Sequence, residues 1–359
     1  MTDPKKPLTP LRERIDDVDD RILALLAERA ELARTVAEAK RVAKTPHFHD
    51  PERERAVLAR VAEKGAGEFP RDAIRVVFRE VMSACLSLEE PMRVAFLGPE
   101  GTFTQMAAHR LFGLAARYQE SATIDGVFDA VRSGACAAGV VPIENSTEGS
   151  VTFTVDALLD GDLAIRQEMV LDVAHCLLSR AAALPQIERV YSHPQALAQC
   201  RMWLAKNLPN AQLIQTSSTA AAAREAHDDE RAAAIGSALA GEIHGLAMVR
   251  EKIQDRPENA TRFVVLGRED APRTGRDKTT IAFSVKDGRG ALRQVLSILE
   301  DSGVNLTRIE SRPTRQRAWD YVFLADLEGH REDAHVAAAL DGVRAKCPMV
   351  KILGSYAIG

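Results

Sequence analysis

The sequence has little cysteine and no long apolar run. Its five cysteines are scattered, odd in number and without the spacing of a zinc site, so we interpret them as free thiols in a reducing compartment. No segment is apolar over the roughly 20 residues that a membrane helix needs. The first ten residues are polar and lack the apolar core of a signal peptide. We therefore expect a cytoplasmic protein without a membrane span.

The chain also lacks a strong charge of either sign. Its formal net charge of -4 gives no reason to expect a nucleic-acid partner, although local basic residues could still bind a small anion. The hydrophobic fraction of 46% and the charged fraction of 27% are those of an ordinary globular protein. A chain of 359 residues is long enough for roughly two or three domains.

The N-terminal segment reads as helical. Residues 10–44 carry apolar side chains at three- and four-residue steps, which predict one long helix, with Thr9 as its N-cap and Pro10 at the first helical position. Two shorter helices are predicted over about 50–65 and 72–88. A long helix followed by two short ones cannot bury its apolar stripe alone, which favours an intertwined dimer. We place this all-α domain at residues 1–91.

From residue 93 onwards, short apolar strands alternate with alanine-rich helices. This alternation predicts an α/β domain at 92–271, with ligands at the strand ends. The polar segment 269–278 is expected to be a linker. The pattern in 279–359 is strand, helix, strand, strand, helix, strand, which predicts a ferredoxin-like α+β module. Glycine-, proline- and hydroxyl-rich loops beside the apolar runs leave backbone N–H groups and hydroxyls available to an oxyanion.

Basic residues of the helical segment form the first candidate site. Arg29 and Lys40 are eleven residues apart and share a helix face, about 16 Å apart along the axis. Arg53 on the second helix can join them around a small anion. Arg12 lies about 26 Å before Arg29 along the axis, so it can serve only the site of a second subunit. The alternative that spacing alone leaves open is a solvated charged surface.

Residues 8–12, 25–29, 39–40 and 50–54 resemble the all-helical chorismate mutase family. The resemblance implies that basic side chains bind the two carboxylates and the ether oxygen of chorismate, with Lys40 and Glu89 as catalytic residues. The rearrangement to prephenate needs no nucleophile, only a compact substrate conformer and stabilised charge on the breaking ether bond. Family members commonly carry Ser at position 85 and Gln at position 89. The implied binding set is Arg12 of the partner, Arg29, Lys40, Asp50, Arg53, Glu54, Cys85 and Glu89.

The strings at 97–103, 141–146, 191–195 and 261–263 resemble prephenate dehydratase, a family with a two-lobed, periplasmic-binding-protein-like domain. The resemblance implies that Thr261 donates a proton to the departing ring hydroxyl of prephenate, that Arg262 is a structural or carboxylate contact, and that Phe263 is a packing residue. His175 and His193 are interpreted as structural. The alternatives for the individual residues are ordinary strand and turn chemistry. The implied substrate set is Asn145, Ser146, Ser192, Gln199, Ser218, Thr219, Thr261, Arg262 and Phe263.

The C-terminal module resembles the ACT domain, which binds amino acids. Two of its strings match the family's phenylalanine motifs, and the N-terminus of the helix after Gly290 offers N–H groups to a ligand carboxylate. The alternative is a dimerisation module without a ligand. The implied effector-binding residues are Gly290, Ala291 and Leu292 in the first string and Glu310, Ser311, Arg312 and Pro313 in the second.

The whole chain resembles the bifunctional chorismate mutase–prephenate dehydratase family. This implies an enzyme of phenylalanine biosynthesis that makes phenylpyruvate from chorismate and is inhibited by phenylalanine. It implies a homodimer or higher homo-oligomer, without metal or organic cofactor. Two alternatives remain: a dehydratase whose helical domain is a weak or inactive dimerisation arm, and a non-enzymatic amino-acid sensor.

Overall fold

The computed structural model describes residues 8–43, 51–65, 67–89, 92–181, 183–286, 288–313 and 321–359, with only the backbone at Pro51, Glu52 and Glu89. The chain forms two compact units. One comprises Met1–Met92 with Phe112–Arg117, and the other comprises Arg93–Leu111 with Tyr118–Gly359. No helix in the described part of the chain is both long enough and apolar enough to cross a membrane.

Three helices build the first unit: α1 (Thr9–Val42), α2 (Pro51–Lys64) and α3 (Arg71–Glu89). The long first helix is confirmed, but Leu8 rather than Thr9 occupies its N-cap position. Proline suits either of the first two helical positions, so the sequence did not fix the boundary to one residue. A small core of Val57, Val61 and Ile74 joins α2 to α3.

The α1 helix leaves its apolar stripe uncovered within this chain. Ala37 is its only buried residue. The exposed fractions of Leu11, Ile15 and Leu25 are 55%, 58% and 63%. Side chains spaced at three and four residues lie on one face, so the stripe is a continuous apolar surface.

The second unit begins with two lobes. The first contains β1 (Arg93–Leu97), α4 (Phe103–Phe112), β2 (Arg117–Ser121), α5 (Ile124–Arg132), β3 (Ala138–Asn145), β4 (Gly149–Ser150), α6 (Thr152–Asp160), β5 (Ala164–Asp172) and β11 (Ala260–Gly267). The second contains β6 (Cys176–Ser179), β7 (Arg189–Ser192), α7 (Pro194–Gln199), α8 (Arg201–Asn207), β8 (Gln212–Gln215), α9 (Thr219–His227), β9 (Ala232–Gly236), α10 (Ala238–His244) and β10 (Ala247–Arg250). The sequence analysis missed strands β2, β4, β6 and β10.

Each lobe is a mixed sheet. The first has strand order β2-β1-β3-β11-β5, with β4 beside β3, and the second has order β10-β6-β9-β7-β8. The chain passes between the lobes twice, at 173–175 and at 251–259. These two crossover segments bond to each other, because the amide of Val173 donates to the carbonyl of Asn259 at 2.7 Å and the amide of Ile253 donates to the carbonyl of His175 at 2.9 Å.

The C-terminal module follows in the same unit. Its elements are β12 (Asp277–Ser284), α11 (Ala291–Asp301), β13 (Leu306–Pro313), β14 (Tyr321–Glu328), α12 (Ala334–Arg344) and β15 (Met349–Ala357). Strand order β13-β14-β12-β15, antiparallel throughout, confirms the ferredoxin-like prediction. The predicted linker ends earlier than expected, because buried Asp277 opens β12 and accepts hydrogen bonds from Thr274 and Gly275.

Strand β15 packs closely against the first lobe. A Cβ atom at Gly354 would collide with the backbone of Ile165 in β5. Glycine is therefore needed where the two backbones meet. This close approach holds the module's sheet beside the sheet that carries β11.

Candidate active sites

A cavity of about 410 Å³ opens between the helices of the first unit. Helix α1 contributes Arg29 and Lys40 to its lining, α2 contributes Arg53 and Glu54, and α3 contributes the buried Cys85. The structure thus brings together these five predicted residues, of which only Arg29 and Lys40 were placed on one face by helical spacing. The volume lies in the range of small-molecule sites.

The cavity is more basic than the sequence analysis anticipated. Arg60 and Arg79 also line it. Arg60 follows Arg53 by seven residues, which places both on one face of α2, so the periodicity could have identified it. The guanidinium of Arg29 donates to the carbonyl of Val81 at 3.3 Å, which fixes it against α3.

Three predicted mutase residues do not join this lining in the described structure. Arg12 is exposed near the start of α1 and is absent from the cavity wall. Asp50 lies outside the described residues, as does the side chain of Glu89. Their roles stay predictions.

The second candidate site is centred on Thr261, which is 8% exposed in β11. Strand β3 runs beside β11, with Thr261 paired to Asn145. The amide nitrogen of Asn145 lies 2.9 Å from Thr261 Oγ1, 3.0 Å from Asn259 Oδ1 and 3.2 Å from the carbonyl of Ala260. Its oxygen accepts from the amide of Thr147 at 3.0 Å. Asn145 therefore donates towards Thr261.

Gln199, at the end of α7, closes a polar ring from the other lobe. Its Oε1 lies 3.1 Å from Asn259 Nδ2 and 2.8 Å from His175 Nε2. Its Nε2 lies 3.5 Å from the hydroxyl of Thr147, which donates to Asn145 Oδ1 at 2.5 Å. Sequence reasoning missed Thr147 and Asn259. The asparagine two residues before Thr261 and the threonine two residues after Asn145 were the available indications.

A cavity of about 520 Å³ adjoins this ring. Thr147, Gln199 and Asn259 line it together with Arg201 and Arg256. Both arginines are exposed. The wall thus combines amide and hydroxyl groups with these two cations and with the carboxylates of Glu148 and Asp255, and Asp255 accepts from the backbone amides of Met202 and Trp203.

Two other predicted dehydratase residues form hydrogen bonds with backbone groups. The hydroxyl of Ser146 accepts from the amide of Ala260 at 3.0 Å and so fixes the start of β11. Ser192 is fully buried, and its hydroxyl donates to the carbonyl of Ile235 at 2.7 Å, which ties β7 to β9. Because the only hydroxyl proton of Ser192 is in this bond, Ser192 could meet a substrate only as an acceptor, and that role stays a prediction.

The two predicted hydroxyl residues Ser218 and Thr219 lie at the start of α9. Ser218 is the N-cap of α9 and accepts from the amide of Ala221 at 2.9 Å, with Thr219 at the first helical position. This is a stable N-cap. A role in substrate binding stays a prediction for both.

Arg262 points away from Thr261, as alternate side chains on a strand do. Its guanidinium contacts Glu168 at 2.7 Å, Asp326 at 2.6 Å and the hydroxyl of Tyr356 at 2.8 Å. Of the two roles expected for Arg262, the structure supports the structural one, since Asp326 and Tyr356 belong to the C-terminal module. A contact between Arg262 and a substrate carboxylate stays a prediction. Phe263 is 2% exposed, in accordance with its packing role.

The surroundings of Arg262 keep its guanidinium charged although it is largely buried. Burial alone would lower the pKa of Arg262, but the neighbouring Tyr356, Asp326 and Glu168 raise the pKa above its ordinary value. Burial raises the pKa of Tyr356, so its phenol stays neutral and can form a hydrogen bond with the hydroxyl of Thr280, 2.6 Å away.

The predicted histidines are structural in their geometry. His193 caps α7, with its ring nitrogen accepting from the amide of Gln195 at 3.4 Å. His175 is 4% exposed. Burial lowers the pKa of His175 and its hydrogen bond to Gln199 partly opposes this, so the imidazole is neutral near pH 7.

Alternate residues of the second predicted effector segment, 310–313 in β13, contact the first lobe. Glu310 bonds with Arg308 and with Ser150 of β4, and Arg308 contacts Glu144 at 3.1 Å. Arg312 contacts Asp156 at 2.8 Å. Glu310 and Arg312 thus both carry contacts to the first lobe in this structure, and their role in effector binding stays a prediction.

The remaining effector residues divide between exposed and half-buried positions. Ser311 and Pro313 are exposed, as is Gly290, whose left-handed backbone (φ 80°) begins α11. Ala291 and Leu292 are half-buried. Strand β13 is an edge strand of its sheet.

A helical unit with a basic cavity, a two-lobed α/β domain and an ACT-type module together define a multidomain metabolic enzyme. The chain matches the family models described as chorismate mutase type II over residues 11–90, prephenate dehydratase over 94–271 and ACT domain over 279–345.

Relatives match this chain over almost its whole length. A bifunctional chorismate mutase/prephenate dehydratase from Aquifex aeolicus is 46% identical, and one from Stutzerimonas stutzeri is 44% identical, each over 97% of both chains. A crystal structure of prephenate dehydratase from Arthrobacter aurescens in complex with L-Phe is 40% identical, with a TM-score of 0.69, covering 74% of this chain and 90% of that chain. The chain belongs to the bifunctional chorismate mutase/prephenate dehydratase family.

Proposed function

We propose that this chain rearranges chorismate to prephenate in the helical cavity and converts prephenate to phenylpyruvate between the two lobes, with phenylalanine as feedback inhibitor. The observation that carries the proposal is the hydrogen bond from Asn145 to Thr261 Oγ1 at 2.9 Å. Because the hydroxyl oxygen accepts this bond, the hydroxyl proton is left for a bond to substrate.

In the dehydration, Thr261 holds that proton towards the ring hydroxyl of prephenate. The C–O bond breaks as the hydroxyl leaves as water, and the ring carboxylate leaves as carbon dioxide. The electrons of the broken bond between the ring and this carboxylate enter the ring, which becomes aromatic. One proton is consumed overall. A positioned donor at the leaving oxygen lowers the barrier because negative charge develops there.

Arg201 and Arg256 are the cations that the adjoining cavity offers to the substrate. Prephenate carries two carboxylates, and a guanidinium binds a carboxylate through two parallel hydrogen bonds. We propose that these arginines bind the pyruvyl carboxylate. The ring carboxylate must be able to leave, so a strong cation contact there would oppose the reaction.

In the mutase reaction, the basic cavity holds the substrate compact. Arg29 and Lys40 lie where they can neutralise a dianion, and Arg53 faces them from α2. The proposed contributions are restricted conformation and charge stabilisation on the ether oxygen. A cationic wall without a required nucleophile suits this pericyclic chemistry.

We propose that two copies of the chain pair through the apolar stripe of α1. An exposed stripe this long is unusual on a monomer and marks an interaction surface. A second α1 helix is the complementary occupant, since a two-fold axis pairs identical stripes. Arg12 would then enter the site of the partner subunit. A cytoplasmic location fits the free, buried state of all five cysteines.

Phenylalanine is proposed to bind the C-terminal module near Gly290 and the exposed edge of β13. The Arthrobacter aurescens structure contains L-Phe, which supports this effector for the related domains. Ion pairs from Arg308 to Glu144 connect β13 to β3, the strand that ends in Asn145. A shift of β13 can therefore reach the residue that holds Thr261.

The test uses the purified full chain. Chorismate consumption and phenylpyruvate formation from prephenate are measured separately, with and without phenylalanine. Both reactions should occur, and phenylalanine should slow the second. A folded protein that consumes chorismate but forms no phenylpyruvate would refute the dehydratase assignment, while the reverse would support the inactive-arm alternative.

A further inference from the structure

The two crossover segments of the two-lobed domain each contribute one buried polar side chain to the same place. His175 lies in the first crossover and Asn259 in the second, and both are 4% exposed. Gln199 lies between them, with its oxygen 2.8 Å from His175 Nε2 and 3.1 Å from Asn259 Nδ2. Its place is held by Asp255, whose amide donates to the carbonyl of Gln199 at 2.7 Å.

Backbone groups fix the direction of every hydrogen bond in this arrangement. The amide of Thr147 can only donate, so the atom it contacts on Asn145 is the oxygen. The carbonyl of Ala260 can only accept, so the atom facing it is the Asn145 nitrogen. Asn145 therefore donates to Asn259 Oδ1 and to Thr261 Oγ1.

The direction then propagates to the second lobe. Because Asn259 presents its oxygen to Asn145, it presents its nitrogen to Gln199. Gln199 accepts there, so His175 must donate from Nε2. The other ring nitrogen of His175 is buried and has no hydrogen-bond partner in the described part of the chain, which fits the neutral Nε2–H tautomer.

We infer that Asn259 is a positioning residue for dehydration, and that His175 assists it by fixing Gln199. The Asn145 amide group has two hydrogens for three acceptors, Asn259 Oδ1, Thr261 Oγ1 and the carbonyl of Ala260, so at least one hydrogen is shared. Asn259 competes for these hydrogens as a neutral acceptor. A stronger acceptor at this position would draw the Asn145 hydrogens away from Thr261, and Thr261 could then donate its proton to a protein oxygen instead of to the substrate. The inference rests on the proposed dehydratase function and deepens it.

The decisive variant is Asn259→Asp, which keeps the shape of the side chain but places a charged, stronger acceptor opposite the Asn145 hydrogens that Thr261 also needs. A carboxylate cannot donate to Gln199. Gln199 should then turn its nitrogen towards the introduced carboxylate and its oxygen away, and the donor at His175 loses its acceptor. The structure thus predicts a change of the His175 tautomer from Nε2–H to Nδ1–H.

The assay measures kcat and KM for prephenate with the full chain. Asn259→Asp should lower kcat at least tenfold and change KM by less than threefold, since small misplacement of a catalytic group costs up to about a hundredfold. The matched control is Asn210→Asp, the same chemical change at an exposed position. The chorismate reaction of the same samples checks concentration, and nitrogen-15 NMR of labelled histidine reads the tautomer.

Each outcome is decisive. A lower kcat with a switched tautomer supports the inference. A kcat within twofold of the Asn210→Asp control overturns it, and so does a loss confined to KM, which would make Asn259 a substrate contact. If Asn259→Asp does not fold, His175→Leu should lower kcat and His175→Gln, which can still donate, should restore most of it; equal rates overturn the inference. A wild-type protein without prephenate turnover would instead refute the proposed function.

Discussion

Replacing Arg262 with methionine should destabilise the second unit strongly. The Arg262 side chain is 10% exposed, and its partners Glu168 and Asp326 are 4% and 2% exposed. Methionine fills much of the space but leaves Asp326 without its guanidinium. Glu168 keeps Lys278 at 2.8 Å, so only one carboxylate is left without an ion pair.

The expected loss of stability follows from the one carboxylate, Asp326, that is left without an ion pair. Removing one partner of a buried ion pair costs about 3–5 kcal/mol, mostly because the remaining charge is desolvated. Asp326 still accepts from Thr280 at 2.7 Å, which places the loss near the lower end. At about 2–4 °C per kcal/mol for a unit of this size, the midpoint of unfolding should fall by about 6–12 °C.

Scanning calorimetry of the full chain measures this shift in the transition of the second unit. The unfolding midpoint of Arg262→Lys should fall between those of wild type and Arg262→Met, because an ammonium keeps the charge but cannot form the three guanidinium bonds. Adding Asp326→Asn to Arg262→Met should recover part of the loss. Arg273→Met is the matched control, since Arg273 is 54% exposed and its ion pair is worth little. A midpoint for Arg262→Met within 2 °C of wild type would refute the reasoning.

Three further predictions concern regulation, assembly and pH. Arg308→Gln should leave uninhibited prephenate turnover in place and raise the phenylalanine concentration for half-inhibition at least fivefold, while exposed Arg344→Gln should not; unchanged inhibition would exclude this route. Mixing inactive Arg12→Ala and Arg29→Ala proteins should restore some mutase activity through mixed dimers, and demonstrated heterodimers without recovery would count against a shared site. Because burial lowers the pKa of His175, its contribution to stability is complete above about pH 6.5 and is lost as pH falls below that value. The midpoint of unfolding should therefore drop less between pH 7.5 and pH 5.5 in His175→Gln than in wild type; equal drops would contradict this.

Periodicity predicted the parts of the structure that depend on one helix or one strand. Arg29, Lys40 and Arg53 line one cavity because their helical spacing leaves little freedom. The order of elements in the C-terminal module followed from alternation of strand and helix patterns. Strands β6 and β10 were missed, although the predicted strands β7 and β8 are equally short.

Partners across the fold could not be read from local pattern. Strand alternation implied that Thr261 and Arg262 point to opposite faces, but nothing in the sequence indicated that Asp326 would meet Arg262. The contact has a practical consequence. A truncation before residue 279 would cut β12, which begins at Asp277, and would remove Asp326 and Tyr356, the partners of Arg262 in the module. Point substitutions therefore test regulation more cleanly than deletion.

The most direct test of the central claim is phenylpyruvate formation from prephenate by the wild-type chain and by Thr261→Ala. Loss of one donor at the transition state commonly costs about 3 kcal/mol, or a hundredfold or more in rate. We predict that Thr261→Ala loses dehydration to at least this extent while its chorismate rearrangement stays near wild type, because the mutase cavity lies in the other unit. A folded Thr261→Ala protein that forms phenylpyruvate at close to the wild-type rate would contradict the account.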